Sequence, residues 1–155
     1  MDIETLMNTY SQKLLRYATS ILYNHQDAED IVQDVFLTAF EQIHRFKGDN
    51  ISPWLYKITY NKSINKLRRD KFLLFGKIPE DSVTLTYFGE EAEVIKSLKL
   101  LKPQDRALVY ARVVEGYSYD ELAVQMDKTP ANLRKRYERA KKKLSETLTE
   151  RGESS

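Results

Sequence analysis

The stretch from Ser118 to Leu144 leaves a folding chain the least choice. Ser118-Tyr-Asp-Glu121 has the spacing of a capping box, in which a Ser hydroxyl and a Glu carboxylate three residues on each satisfy the other's backbone N–H. Leu122, Ala123 and Met126 follow as apolar positions, and after Asp127-Lys128-Thr129 the pair Thr129-Pro130 supplies a second helix start. Leu133, Tyr137, Ala140, Leu144 and Leu148 then recur at intervals of three and four. A short helix, a tight turn and a longer helix to about Thr147 are the lengths of a helix-turn-helix. At about 100° per residue the apolar stripe lies within about 40° of its centre, and Ala131, Arg134, Lys135, Glu138, Arg139 and Lys142 fall on the opposite arc. A basic helix by itself is usually a solvated face. Behind a capped helix and a turn it has the form that enters a major groove by its amino-terminal end, with the first turns at base edges and later turns at phosphates. The candidate contacts are Thr129, Ala131, Asn132, Arg134, Lys135, Arg136, Glu138, Arg139 and Lys142.

The rest of the chain also carries helical periods. Ile3, Met7, Tyr10, Leu14, Tyr17 and Ile21 form one stripe, broken at Asn24-His25-Gln26. Asp27 is a good N-cap for a second helix marked by Ile31, Val32, Val35, Phe36, Ala39, Phe40 and Ile43. Ser52-Pro53 opens a third, running to about Arg69. Between Phe72 and Glu90 the period is lost and Gly76, Pro79, Ser82 and Gly89 punctuate an expected linker. Beyond it come a short stripe (Ala92, Ile95, Leu98, Leu101) and a helix opened by Pro103, with Ala107, Ala111 and Val114 as its stripe and Gly116 at a left-handed C-terminal cap. With only five Gly and four Pro in 155 residues, the expected fold class is all-α. Two small helical domains span 1–71 and 91–150, joined by a linker at 72–90 and followed by a tail at 151–155.

Composition empties the usual enzyme inventory. There is no Cys, and His25 and His44 are the only imidazoles. No apolar run approaches the ~18 residues of a membrane span, and the amino terminus lacks the halves of a signal peptide. A cytoplasmic protein without metal, cofactor or membrane insertion is expected. The net charge of +2 hides segregation: −4 over 1–50, +6 over 51–77, −5 over 78–95, 0 over 96–127, +7 over 128–144 and −2 over 145–155. Two basic blocks on two separate helices make a two-point polyanion contact the favoured reading.

The first basic block has a chemistry of its own. On the helix from Ser52 to Arg69, Tyr56, Tyr60, Ile64 and Leu67 form a core edge, while Trp54, Ile58, Asn61, Asn65 and Arg68 gather on another face flanked by Lys57, Lys62 and Arg69. An indole stacks on an unpaired base, carboxamides bond base edges, and cations hold phosphates. Trp54 also suits a core position, and Asn61 and Asn65 suit an ordinary polar surface. The second helix is acidic on its polar side, at Asp27, Glu29, Asp30, Asp34 and Glu41. It lacks the turn Gly and neutral oxygen donors of a calcium loop. Helix-dipole compensation explains the first-turn acids; Asp34 and Glu41 fit a protein-docking face.

Three motifs in series resemble the bacterial RNA polymerase sigma factors, specifically the small two-domain extracytoplasmic-function group: Asp27-Ala-Glu-Asp-Ile-Val-Gln-Asp-Val-Phe36, Pro53-Trp-Leu-Tyr-Lys-Ile58 with Asn61, and Glu115-Gly-Tyr-Ser-Tyr-Asp-Glu-Leu-Ala123 before the basic helix. The resemblance implies docking on core RNA polymerase through Asp27, Asp30, Gln33, Asp34, Leu37 and Glu41. It implies capture and melting of the downstream, minus-ten element as a single strand by residues between Phe46 and Arg69. That set is Phe46, Lys47, Gly48, Asp49, Asn50, Trp54, Lys57, Ile58, Asn61, Lys62, Asn65, Arg68 and Arg69, with the Gly48 loop as the pocket for a flipped base. The helix from Pro130 to Leu144 would read the upstream, minus-thirty-five element as duplex. The linker acids Glu80, Asp81, Glu90, Glu91 and Glu93 would imitate RNA charge in the polymerase channels, and an anti-sigma factor is a further partner of such proteins. Lys135 and Glu138 depart from the residues many members carry, so no promoter sequence can be borrowed. Phe72-Leu-Leu-Phe75 is unusually apolar for a linker start. Two rivals are a free-standing helix-turn-helix regulator, for which no dimerisation helix is visible, and a carboxylate-metal phosphoesterase resting on Asp27 to Asp34 alone.

Overall fold

A computed structural model of the chain describes residues 2–73 and 96–153, with side chains described over 2–71 and 96–146. All regular elements among these residues are helical. The chain divides into two compact units, Met1–Thr84 and Leu85–Ser155.

The first unit holds α1 (Ile3–Leu22), α2 (His25–Gln42), a 3-10 turn (Ile43–Arg45) and α3 (Ser52–Leu73). Asp2 caps α1, its Oδ1 accepting the Thr5 N–H at 2.8 Å, and that hydrogen bond holds the Asp2 carboxyl below the usual range. The helix stops where Tyr23 turns left-handed at φ 52°, its N–H bonded to the Thr19 carbonyl at 2.8 Å. The break is shorter than expected, and the cap of α2 is Asn24, not Asp27: the Asn24 side chain accepts the Asp27 N–H at 3.0 Å. Both residue types cap well; the left-handed Tyr23 decides by turning the chain one residue earlier.

All three helices of this unit pack against one another. Leu14, Tyr17, Ile21, Ala28, Val35, Ala39, Leu55 and Tyr56 are fully buried, with the Tyr17 and Tyr56 rings 4.8 Å apart at their centre. Since α1 touches two partners, its buried arc exceeds a single stripe and takes in Leu6, Ala18 and Leu22, whereas Met7, expected in the stripe, is 44% exposed. Phe40, likewise expected inside, is 63% exposed. Three hydroxyls in the core bond their own helix: Thr19 to Leu15, Ser20 to Tyr17 and Thr59 to Leu55, at 2.7, 2.6 and 2.8 Å, which lets polar residues sit at full burial.

Helix α3 begins one residue before the expected position. Ser52 is its first residue; Leu55 N–H bonds the Ile51 carbonyl, and Ser52 N–H bonds Asn50 Oδ1 at 3.1 Å. It also continues past Arg69 to Leu73, so Phe72 and Leu73 lie in helix. Leu74 and Phe75 lie outside the described residues, as do the linker acids Glu80, Asp81, Glu90, Glu91 and Glu93, and Ala92 and Ile95.

The second unit holds a 3-10 turn (Leu98–Leu100), α4 (Pro103–Val113), α5 (Tyr119–Met126) and α6 (Pro130–Glu153). All three α-helices touch. Consequently α4 is buried almost all round, from Arg106 to Ala111, and not along the Ala107, Ala111, Val114 stripe alone. Arg106 is satisfied inside by donating Nη1–H to the Leu101 carbonyl at 2.7 Å. Past α4, Gly116 takes φ 72°, the left-handed position its sequence placement implies, and Tyr117 N–H returns to the Ala111 carbonyl at 3.2 Å.

Candidate nucleic-acid interface

The helix-turn-helix in the second unit is built by local chemistry. Ser118 Oγ accepts the Glu121 N–H at 3.1 Å, and Glu121 Oε1 accepts the Ser118 N–H at 3.0 Å, the reciprocal capping box. Asp127 ends α5 in the left-handed region at φ 53°, a conformation Asp tolerates better than most residues. Thr129 Oγ1 then accepts the Asn132 N–H at 3.1 Å to start α6. Leu122, Met126, Leu133 and Ala140 are buried between these helices and α4. With the apolar edge fixed inward, Thr129, Ala131, Asn132, Arg134, Lys135, Glu138, Arg139 and Lys142 are exposed. Leu148 is in α6 but its side chain lies outside the described residues, and the helix extends beyond Thr147 to Glu153.

Arg136 behaves differently from its neighbours. Its Nε donates to Asp105 Oδ1 at 3.0 Å and its Nη2 lies 2.9 Å from the same oxygen, both side chains being 23% exposed. It ties α6 to α4. With Lys102, Asn132, Arg139 and Lys143 the pair lines a cleft of about 390 Å³. At the start of α5, Tyr119 meets the Tyr137 ring edge-on at 6.2 Å, and the guanidinium carbons of Arg112 and Arg134 lie 4.4 and 5.3 Å from its centre.

In the first unit the loop before α3 and the first turn of that helix form an aromatic step. The Phe46 and Trp54 rings stack at 5.4 Å and 28°, and Trp54 is half-buried, so the indole is neither wholly core nor wholly free. Gly48 takes φ 142°, which disfavours any side chain, and a Cβ there would meet the Phe46 ring at 3.6 Å. Around the step, Lys47, Asp49, Asn50, Lys57, Asn61, Asn65, Arg68 and Arg69 are exposed, and Ile58 and Lys62 half-buried. Tyr56, Tyr60 and Ile64 are buried as the core edge.

The acidic side of α2 lies against this basic helix. Lys62 Nζ reaches Asp34 Oδ2 at 3.0 Å, and Lys66 Nζ lies 3.9 Å from Asp27 and 3.3 Å from Asp70. Burial raises the Asp27 carboxyl above its ordinary value, opposed by the Lys66 charge. Asp30, Gln33 and Glu41 are exposed, and between them stand Leu37 and Phe40, each 63% exposed. Leu37 was expected on the docking face and Phe40 in the apolar stripe, whose period Phe40 satisfies; both side chains are exposed. Among the described residues no group of three or more His, Asp or Glu side chains is placed to hold a metal ion, and no helix is long and apolar enough to cross a membrane.

Residues 6–72 match the profile of Sigma-70 region 2, and residues 91–144 that of Sigma-70, region 4. Across 94% of the chain it is 25% identical to the ECF RNA polymerase sigma factor SigE of Mycolicibacterium smegmatis, spanning 61% of that protein's length. It is 26% identical to the RNA polymerase sigma factor YlaC of Bacillus subtilis over 96% of this chain and 92% of YlaC. In fold it resembles the sigma factor RpoE solved in complex with the anti-sigma factor NepR from Bartonella quintana, with TM-score 0.83 and 23% identity over 94% of this chain and 96% of that one. A second likeness is to CnrH, solved in complex with the cytosolic domain of CnrY, with TM-score 0.71 and 25% identity over 95% and 87% of the two chains.

Proposed function

The chain belongs to the sigma-70 family, in its extracytoplasmic-function group of RNA polymerase sigma factors that direct transcription initiation, and from that premise we propose how its surfaces divide the work. Residues 1–71 dock on core RNA polymerase and open the downstream promoter element, 72–90 form the linker, and 91–150 hold the duplex upstream element. Docking falls to the α2 face of Asp30, Gln33, Asp34, Leu37 and Glu41, joined by Phe40. The Phe46–Trp54 step, the Gly48 loop and the amides of Asn61 and Asn65 receive unpaired bases, while Lys57, Lys62, Arg68 and Arg69 hold phosphates. On α6, Arg134 and Lys135 lie in the first turns, where base edges are within reach, and Lys142 lies where the helix meets backbone.

The observation that carries this reading is the pairing of two unlike DNA-suited surfaces on two separate units of one chain. A stacking step with amides suits single strands, and a capped basic helix suits duplex. A free-standing helix-turn-helix regulator has no use for the first. In this assignment polymerase performs the bond chemistry, the chain works in the cytoplasm, and an anti-sigma protein, like the one held by the Bartonella relative, is a partner of the same kind. Run-off transcription by core polymerase with and without the chain, on a promoter library, tests it. Transcripts that start at discrete promoters only when the chain is added support the assignment, and an unchanged transcript pattern defeats it.

A further inference from the structure

We infer that Tyr119 is a positioning residue for DNA reading: its ring pre-orients the Arg134 guanidinium that faces the upstream element. The inference rests on the base-reading role proposed for Arg134. Tyr119 is the first residue of α5, so the capping box of Ser118 and Glu121 fixes its backbone. Its ring is fixed from two further sides. Tyr137 presents an edge-on contact at 6.2 Å and 69°, and Arg112 sits 4.4 Å from the ring centre with its Nη1–H bonded to the Tyr117 carbonyl at 3.0 Å. Arg134 then reaches the same ring at 5.3 Å.

Arg134 and Tyr137 are three residues apart on α6, hence neighbours on one helix face, and both engage the single ring offered by α5. A guanidinium near an aromatic ring is attracted by the ring quadrupole, and its planar fork is useful in a groove only at a defined angle. An exposed Arg that samples many rotamers gives up that freedom when it bonds a base; one already held against a ring gives up less. Tyr119 therefore acts on DNA through Arg134 without touching a base. The phenol oxygen has no part in this, whereas the π-face does.

The test uses holoenzyme assembled from core polymerase and the full chain, in competition binding to duplex fragments substituted one base pair at a time across the upstream element. Tyr119→Leu should lower the preference at the base pair sensitive to Arg134→Ala by about 2- to 5-fold, the effect expected of one exposed cation–π contact. Preferences at the other positions and the salt dependence of binding should hold. Tyr119→Phe should restore discrimination, and a pentafluorophenyl ring at this position, equal in shape but reversed in quadrupole, should behave as the Leu variant does. In the Arg134→Ala background Tyr119→Leu should have no further effect on preference. Unchanged discrimination in the Leu and fluorinated variants would overturn the inference while leaving the role of Arg134 intact. A uniform loss on every duplex, accompanied by a lower melting temperature, would make Tyr119 merely structural. If Arg134→Ala itself leaves every preference unchanged, the base-reading assignment fails and the positioning role falls with it.

Discussion

Arg136 sits in the middle of the basic helix yet points at Asp105, and the two roles this suggests predict opposite experiments. The pair has one carboxylate oxygen shared by two guanidinium nitrogens, at 3.0 and 2.9 Å, and each side chain is 23% exposed. Fully exposed ion pairs contribute about 0–1 kcal/mol, and hydrogen bonds to charged groups about 1.5–3 kcal/mol. Three-quarters burial puts this one between them, at about 1–2 kcal/mol of coupling. For a unit of this size about 1 kcal/mol moves the melting temperature by about 4–8 °C, so Arg136→Met should lower it by about 4–16 °C in the full chain. Met keeps much of the apolar stem that packs α6 on α4. Asp105→Asn should cost a similar amount, and the double variant little more than either single, which a double-mutant cycle in urea reads directly. On duplex DNA the salt slope should be unchanged. A slope lowered by about 0.9, the value of one lost phosphate contact, with additive effects on stability would refute the scaffold role and return Arg136 to the DNA face.

Asp30→Lys with Glu41→Lys should weaken core polymerase binding in a titration while leaving the helical signal and melting temperature within the small range of exposed charges. Asp34 is a poorer probe, because its replacement also releases Lys62. Asn61→Ala with Asn65→Ala should reduce permanganate-detected opening of the downstream element, with rescue on a pre-melted template; stacking on the adjacent aromatic step is worth roughly 1–3 kcal/mol per base, about 5- to 150-fold in open complex. Asp27 titrates above its unfolded value, so the folded state binds that proton more tightly and its stabilising contribution is lost as pH rises through the carboxylate range. Asp27→Asn should accordingly gain stability relative to the parent at neutral pH, and urea midpoints should converge below about pH 3; a gap that widens on acidification would contradict the burial argument.

The starts of both helices of the helix-turn-helix and the turn between them were legible because each is set by a local residue with one favourable use, whereas the end of α6, expected near Thr147 and found at Glu153, has no such signal. A capping box, a Thr-Pro start and Gly116 at a positive φ operate without help from the rest of the fold. At the start of α2 two competent caps stand three residues apart, and only the conformation of Tyr23 selects Asn24. Met7 and Phe40 satisfy their stripes by period, but period cannot say how far along a helix its partners extend. The Arg136–Asp105 pair spans 31 positions and the Phe46–Trp54 stack crosses a loop. No windowed pattern registers such contacts, so neither the tie of Arg136 to α4 nor the half-buried position of Trp54 against Phe46 can be read from the sequence.

The net charge of +2 describes none of these surfaces. At physiological salt, screening acts over about 8 Å, whereas α6 alone, at 24 residues and ~1.5 Å per residue, is about 36 Å long. A partner within reach of the basic block therefore feels the local +7 of residues 128–144 more than the net charge of the chain, and on the proposed reading that partner is duplex phosphate, as it is a protein for the exposed acids of α2. Within the first unit the acidic side of α2 and the basic α3 lie close enough to feel each other. Lys62 and Asp34 are 3.0 Å apart, well inside the screening length, so a cation that claims Asp34 frees Lys62 for an anion, and a phosphate that claims Lys62 frees Asp34. Linkage requires the two effects to be equal in free energy. On the proposed division of surfaces, the docking face and the strand-binding face of this unit are thus joined through Lys62 and Asp34, while the helix assigned to duplex is a second contact whose strength depends on the effective concentration at which polymerase presents it.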